Sequence, residues 1–192
     1  AVRSALGIGC SVKVFDNSLS KLRRLQTATG QRIYTSIIQP KVLSKALMRA
    51  DVVIGAVRSP FGKTPCIVTE EMVQNMKQGS VIIDISIDQG GCFETSEITN
   101  HEKPTFEKFG ITHYCVPNVA SRVCRTASFA LSNIFSPLLL KTGDSGGVGQ
   151  LIKHDAGFRS GVYMYKGTIT SEILGKVFDL KYKDIELLLM GM

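Results

Sequence analysis

The residues best suited to chemistry follow an apolar segment near the middle of the chain. Residues 80–87 (SVIIDISI) lead into a carboxylate, an amide and two glycines, which are Asp88, Gln89, Gly90 and Gly91. A carboxylate at the carboxyl end of a buried strand can hold a water or polarise a partner base, and glycines let backbone approach a ligand closely. An aspartate turn with glycines at positive φ fits the same residues. The block therefore indicates either a catalytic carboxylate at Asp88 or a structural turn.

A second carboxylate, Asp16, ends the short apolar segment 11–15 (SVKVF). In a nucleotide-binding α/β fold, a carboxylate at this position accepts hydrogen bonds from the ribose hydroxyls of an adenine nucleotide and repels a 2′-phosphate. Asn17 and Ser18 follow, so a turn that caps the next helix is an equally good interpretation. Lys21 lies one helical turn further on and is expected either near that nucleotide or in solvent.

Two other segments are expected to end at the same edge of the sheet. Val57 and Arg58 leave the apolar segment 51–57, where small residues make room for a flat ring. Residues 116–119 (VPNV) leave segment 111–115, and the amide of Asn118 can bind a carbonyl or carboxamide. Open parallel sheets bind ligands outside the carboxyl ends of their strands, so these loops and Asp88 predict one site.

Strand-like and helix-like segments alternate as far as residue 122. Strands are predicted over residues 11–15, 32–38, 51–57, 80–87 and 111–115, and helices over residues 1–6, 18–29, 40–49 and 70–76. This order predicts an α/β fold with a doubly wound parallel sheet, because parallel strands need crossover helices. The chain opens within a helix, so the first strand and its glycine-rich, pyrophosphate-binding turn are expected to be missing.

Beyond residue 122 the pattern changes. A long helix is predicted over residues 123–141, with a kink at Pro137, and a loop over residues 144–149. A helix near Leu151, a hairpin over 162–169 that turns at Gly167 and two apolar helices ending at Met192 complete the chain. The expected divisions are a partial dinucleotide-binding domain (1–122), a linking helix (123–141) and a separate C-terminal piece (142–192).

Composition excludes several classes of protein. The 192 residues are 44% hydrophobic and 20% charged, which is ordinary for a globular chain. The net charge of +7 has one dense cluster, at Lys21, Arg23 and Arg24, which is typical of a solvated helix face. We therefore expect no nucleic-acid partner. Apolar runs such as 134–140 are shorter than the ~20 residues that a bilayer needs, so no membrane partner is expected either.

The cysteines and histidines indicate packing rather than chemistry. The five cysteines form no CxxC pair, and the three histidines lack metal-ligand spacing, so neither disulfides nor a metal site is expected. A reducing cytoplasm is the simplest compartment. Cys92 and Cys115 have no adjacent base in the sequence and fit small buried side chains better than nucleophiles. His113, within an apolar strand, fits a hydrogen-bonded core residue.

Three segments carry a resemblance to a known family. DVVIGAV, TEEMVQNMKQGSVIIDISIDQGGCFETS and HYCVPNVASRVCRTASFALSN resemble alanine dehydrogenases and the related alpha subunits of proton-translocating transhydrogenases. The resemblance runs from the first residues to about residue 141 and is weaker beyond it. It implies reversible, NAD-dependent deamination of L-alanine to pyruvate and ammonium in a cytoplasmic homo-oligomer. Residues 142–192 would then be a returning part of the substrate domain.

The resemblance also implies roles for individual residues. Asp88 takes the position of the family's catalytic carboxylate beside the nicotinamide. The cofactor-binding positions implied are Asp16, Lys21, Val57, Arg58, Ile85, Ser86, Ile87, Asp88, Val116, Pro117, Asn118 and Val119. The family's acid–base histidine, and the lysine and arginine that hold the alanine carboxylate, belong to an N-terminal region that this sequence lacks. The chain alone is therefore expected to be inactive, since absent residues cannot orient a substrate.

Two alternative functions are compatible with the same residues. The first is a non-catalytic nucleotide-binding or assembly module, in which an oligomer covers the sheet edge exposed by the missing strand. The second is the alpha subunit of a transhydrogenase.

Overall fold

The computed structural model describes residues 1–60 and 62–190, which divide into two compact units. The first comprises Ala1–Val57 and Thr64–Pro117, and the second comprises Arg58–Lys63 and Asn118–Met192. The end of the last expected helix, at Gly191 and Met192, lies outside the described residues. The first unit thus ends a few residues before the boundary expected at residue 122, and the loop after the third strand groups with the second unit.

Helices and strands alternate through the first unit as the sequence predicts. Its elements are α1 (Val2–Gly7), β1 (Lys13–Phe15), α2 (Leu19–Thr29), β2 (Tyr34–Ser36), α3 (Pro40–Leu47), β3 (Val52–Gly55), α4 (Glu70–Gln74), β4 (Val81–Asp84), a 3-10 turn (Ile85–Gln89), β5 (Thr105–Lys108) and β6 (Ile111–Tyr114). Each predicted helix and strand of this unit is present, although most are shorter at their ends.

The strands form two separate sheets. β1 pairs with β2 in parallel, and β3, β4 and β6 pair in parallel in that order, with β5 antiparallel on the outer edge of β6. The parallel arrangement confirms the predicted α/β class, whereas β5 was not predicted. Among the described residues, no strand pairs with both β1 and β3. A doubly wound sheet would have its first strand at this position.

Local signals explain where the helices begin and end. The hydroxyl of Ser18 accepts a hydrogen bond from the backbone N–H of Lys21 at 3.4 Å and so caps α2. Gly30 ends that helix in the left-handed region, with φ of 68°. Pro40 occupies the first turn of α3, where a missing N–H has no cost.

The core of the first unit lies between α3, α4 and the larger sheet. Leu47, Val73, Ile82 and Ile111 are between 0% and 3% exposed. On β3, by contrast, Val52 and Ile54 are more than two-fifths exposed, so one face of that strand lacks a cover within the structure.

Strand β4 is shorter than the sequence indicates. The expected strand extended over residues 80–87, but pairing ends at Asp84 and the chain turns into the 3-10 helix Ile85–Gln89. The cause is local, because the Asp84 side chain accepts a hydrogen bond from the backbone N–H of Ser86 at 2.9 Å. That N–H is therefore withdrawn from the ladder.

The second unit contains a 3-10 turn (Val119–Val123) and a long helix, followed by shorter elements. These are α5 (Cys124–Asp144), α6 (Val148–His154), α7 (Ala156–Ser160), β7 (Met164–Tyr165), β8 (Thr168–Ile169), α8 (Glu172–Phe178) and α9 (Ile185–Met190). The hairpin β7–β8 turns at Gly167, as predicted. The loop expected over 144–149 is shorter, and α7, which begins at the capping carboxylate of Asp155, was not predicted.

Helix α5 is the most exposed long element. None of its residues is buried, and Pro137 lies inside it. Together with the preceding turn it forms a 26-residue helical segment, within which an 18-residue stretch has a mean hydropathy of 1.3. The sequence predicts no membrane span because its uninterrupted apolar runs are short, yet this segment could cross a membrane by length and composition alone. Core helices of soluble proteins pass the same test, so the observation is weak evidence for a span.

Candidate functional site

The carboxyl ends of three parallel strands meet at one edge of the larger sheet. Gly55 at the end of β3 pairs with Asp84 at the end of β4, and Ile83 pairs with Tyr114 near the end of β6. The backbone N–H of Val57 donates to the Ser86 hydroxyl at 2.8 Å and joins the first two ends. We call this edge, formed by residues 55–57, 84–92 and 115–117, the strand-end rim. The sequence predicted its position correctly.

Asp88 lies in the 3-10 turn of the rim and is exposed to solvent. Beyond Gln89, the residues Gly90 and Gly91 have φ of 98° and 81°, which favours glycine. The expected structural turn is present, but the aspartate that forms it is Asp84. Asp88 lies at the surface of the rim, and its catalytic role stays a prediction.

The other predicted residues of the first unit differ in which atoms they can offer a ligand. The side chains of Ser86, Ile87 and Val116 are buried, at 3% to 5% exposure, so contact with a cofactor would be through backbone. Ile85 is 41% exposed, and Val57 and Pro117 are half-buried.

Asp16 and Lys21 line a shallow cavity of about 310 Å³ beside β1 and α2, together with Arg24 and apolar side chains. One oxygen of Asp16 accepts a hydrogen bond from the backbone N–H of Ser18 at 2.7 Å. The turn expected from the sequence is thus present, and the same carboxylate faces a cavity that also has basic side chains.

Three predicted cofactor positions belong to the second unit. They are Arg58, Asn118 and Val119. Asn118 adopts the left-handed region, with φ of 52°, and its carbonyl accepts a hydrogen bond from the backbone N–H of Ser121 at 2.9 Å. Their roles as cofactor contacts are predictions from the resemblance alone.

The residue that sequence reasoning missed is Asp84. It is 1% exposed, and its carboxylate accepts hydrogen bonds from the backbone N–H of Cys92 at 2.8 Å and from the Ser96 hydroxyl at 2.7 Å, besides that of Ser86. A charged residue within an apolar strand (VIID) was the available signal, because a buried carboxylate requires several donors.

The histidine and the two cysteines of this unit are core residues, as predicted. His113 is fully buried and lies within hydrogen-bond distance of Thr95 at 2.9 Å and of the Ile111 carbonyl at 3.0 Å. Burial lowers its pKa. Burial, with the nearby Asp84 carboxylate, raises the pKa of the Cys92 thiol to about 12, and burial also raises that of Cys115. Neither thiol is suited to nucleophilic attack.

The described residues fit part of a dinucleotide. Asp16 suits an adenosine ribose, and the rim has small residues where a flat ring must approach. The buried hydroxyl of Thr64 has no hydrogen-bond partner within residues 1–60 and 62–190, and its backbone N–H donates to the Gln89 carbonyl beside Asp88 at 2.8 Å. A polar atom of this kind is available to a ligand.

No group of three or more possible metal ligands occurs in the described part of the chain.

Fold and rim together define a nucleotide-binding α/β unit, and comparisons with known proteins specify its family. The family model "Alanine dehydrogenase/PNT, C-terminal domain" matches residues 1–172, so this chain belongs to the alanine dehydrogenase/PNT family. It is 39% identical over 187 residues to alanine dehydrogenase 2 of Staphylococcus aureus, covering 97% of this chain. Members of this family use a nicotinamide dinucleotide.

Solved structures agree with that membership. An L-alanine dehydrogenase structure superposes with a TM-score of 0.84 at 34% identity and covers 93% of this chain. A transhydrogenase from Sinorhizobium meliloti superposes with a TM-score of 0.66 at 23% identity over 89% of this chain, which supports the fold alone. The chain spans about half the length of these proteins, at 50% of the Staphylococcus relative and 49% of the L-alanine dehydrogenase.

Proposed function

We propose that this chain supplies the NAD-binding part, and one catalytic carboxylate, of an alanine dehydrogenase. The reaction is L-alanine + NAD⁺ + H₂O ⇌ pyruvate + NH₄⁺ + NADH + H⁺. The observation that carries the proposal is the rim, where an exposed aspartate follows a buried strand at the carboxyl edge of a parallel sheet. The family membership of the chain gives this edge its chemistry.

The bound dinucleotide supplies the acceptor for the hydride that leaves the substrate carbon. In the proposal, the Asp88 carboxylate holds a water or accepts a proton beside the nicotinamide, because it is exposed at the rim. The backbone of residues 85–87 and 116 borders the ring. Asp16 accepts hydrogen bonds from the adenosine ribose and selects NAD over NADP by repelling a 2′-phosphate.

Three parts of this proposal rest on the family membership of the chain. They are the substrates L-alanine and pyruvate, the cytoplasmic location and the homo-oligomeric state. The exposed apolar residues of β3 favour some partner at that strand, since exposed edges are usually covered. A non-catalytic assembly module, the second candidate, would use the same surface.

The decisive experiment is an NADH titration of the purified chain, followed by nicotinamide fluorescence. Because the chain contains no tryptophan, protein emission interferes little with the signal. We expect saturable NADH binding that is at least roughly tenfold tighter than NADPH binding, a ratio typical of one repulsive charge contact. Asp16→Ser should bring the affinities for NADH and NADPH closer together. Asp51→Asn, at an exposed surface position, should leave the ratio of these two affinities unchanged.

The second arm of the experiment measures NADH formation with L-alanine. The chain alone should show none above a mock preparation, and adding the N-terminal half of the Staphylococcus relative should restore it. Asp88→Asn in that mixture should lower kcat by about 10²–10⁴-fold with little change in NADH affinity. NADH binding without restored turnover would favour the assembly module, and equal weak binding of both nucleotides would refute the coenzyme assignment.

A further inference from the structure

A buried carboxylate lies directly beneath the strand-end rim and faces four hydrogen-bond donors. Oδ1 of Asp84 accepts from the backbone N–H of Ser86 at 2.9 Å and from the Cys92 thiol at 3.6 Å. Oδ2 accepts from the backbone N–H of Cys92 at 2.8 Å and from the Ser96 hydroxyl at 2.7 Å. Each carboxylate oxygen therefore holds one backbone N–H and one side-chain donor.

These donors connect Asp84 to the other two strand ends of the rim. The Ser86 hydroxyl accepts from the backbone N–H of Val57, just after β3, at 2.8 Å. The Ser96 hydroxyl accepts from the thiol of Cys115, just after β6, at 3.6 Å. Asp84 at the end of β4 is thus connected to the end of β3 through Ser86, whose N–H donates to the carboxylate and whose hydroxyl accepts from Val57. It is connected to the end of β6 through the Ser96 hydroxyl.

Two glycines bring the backbone close to the Asp84 carboxylate. A Cβ at Gly91 would lie 2.7 Å from Oδ2 of Asp84, and a Cβ at Gly55 would lie 3.2 Å from Oδ1. The carboxylate itself therefore requires a glycine at position 91, whereas at Gly55 the Cys92 sulfur and a Phe93 ring carbon would be closer to the added Cβ, both at 2.5 Å. The segment from β4 to Cys92 is closed tightly around a single side chain.

We propose that Asp84 is the positioning residue that presents Asp88 at the rim. Its carboxylate caps the 3-10 turn through the N–H of Ser86 and binds the end of the following loop through the N–H of Cys92, and Asp88 lies between these two attachments. The catalytic part of this inference rests on the proposed function of Asp88, whereas the positioning part concerns this chain alone. Asp84 touches neither substrate nor coenzyme in this proposal and acts only through the turn.

Asp84→Asn is the informative substitution because it keeps the shape and removes one acceptor. An amide has one oxygen and one NH₂, and NH₂ can only donate. Whichever carboxylate oxygen is replaced, either the N–H of Ser86 or the N–H of Cys92 then faces a donor. One attachment of the turn is lost in either orientation. Asp51→Asn is the matched control, since that carboxylate is 84% exposed and pairs only with a surface lysine in the structure.

The measurement is amide hydrogen exchange and NMR on the whole chain without coenzyme. In Asp84→Asn, exchange of the Ser86 or Cys92 amide should accelerate by roughly ten- to hundredfold, as expected for a lost buried hydrogen bond. The carboxyl ¹³C signal of Asp88 should shift, while the Ile82 amide in the centre of β4 stays protected. A residue that only stabilises the fold would lower protection throughout β4 without a specific shift at Asp88.

Milder variants cover the case in which Asp84→Asn does not fold. Ser96→Ala removes one donor from Oδ2, and Ser86→Ala disconnects Val57 while leaving the carboxylate intact. We expect a smaller Asp88 shift in the first and faster exchange of the Val57 amide in the second. The proposal is overturned if both variants leave residues 85–92 as in the parent chain, or if folded Asp84→Asn does.

The coenzyme assignment is separated from this result by a parallel NADH titration. If the unsubstituted chain fails to bind NADH but Asp84→Asn frees the turn, the positioning role stands and the proposed function fails. If the unsubstituted chain binds NADH, Asp84→Asn should weaken that binding by roughly tenfold or more, and Asp51→Asn should not.

Discussion

Two apolar regions of this chain differ sharply in what surrounds them. The strands β4 and β6 carry side chains that are almost fully buried, such as Ile82 and Ile111 at 0% exposure. Helix α5 is also rich in large apolar residues, yet Leu139 and Leu140 are 70% and 71% exposed. Apolar composition alone therefore does not identify a core. An apolar surface is buried only where other segments of the chain pack against it.

The comparison also separates two kinds of glycine. Gly55 is enclosed by side chains from residues 84–93, so its missing Cβ is part of the packing. Gly143 in α5 has nothing within 4 Å of the position of a Cβ. Tertiary packing explains Gly55, whereas Gly143 only lowers the helix propensity of α5 locally.

The largest contrast is expected from truncating one apolar side chain in each region. Ile82→Ala should lower the free energy of unfolding by about 2–5 kcal/mol, because it leaves a cavity in a fully buried site. Leu139→Ala should change it by no more than about 0.5 kcal/mol. Urea denaturation followed by far-UV circular dichroism measures both. A large loss in Leu139→Ala would mean that α5 is covered in solution, for example by a second copy.

A smaller contrast is expected from adding one methyl group. Gly55→Ala places a Cβ 2.5 Å from both the Cys92 sulfur and a Phe93 ring carbon, so we expect a loss of about 1–3 kcal/mol from overpacking. Gly143→Ala should be neutral or stabilising by up to about 1 kcal/mol, since alanine favours helix. The stability of the two variants is measured by thermal unfolding. Equal stability of both would contradict the close packing around Gly55.

The smallest effect concerns pH and sharpens the description of the buried sheet. Because burial lowers the pKa of His113 below its ordinary value of 6.5, the unfolded chain binds that proton first as the pH falls. The contribution of neutral His113 is complete above about pH 6.5 and is lost as the pH falls toward its folded-state pKa. His113→Gln should flatten this part of the stability profile.

The matched control for that titration is His154→Gln, at an exposed position of α6. Stability curves measured between about pH 7 and pH 5 should keep the slope of the parent chain in this variant. If His113→Gln keeps the same slope as well, His113 is not the group responsible.

Much of the first unit could be predicted because its signals are local. Ser18 and Gly30 bound α2 through contacts with residues three or four positions away, and the apolar segments around residues 52 and 82 are typical of parallel strands. The rim followed from the same pattern, since parallel strands end at one edge. Strand β5 was missed because its alternation of half-buried residues, TFEK, is short and pairs only with its neighbour β6.

The amino-acid sequence by itself determined most of the order of helices and strands, the parallel sheet, and that Asp16 and Asp88 follow strands. These features depend on residues that are close together along the chain. Only the tertiary structure decided that Asp84 is the buried centre of the rim, that residues 58–63 belong with the second unit, and that α5 is exposed. The donors of Asp84 come from as far as residue 96, and no local pattern specifies which distant groups meet one carboxylate.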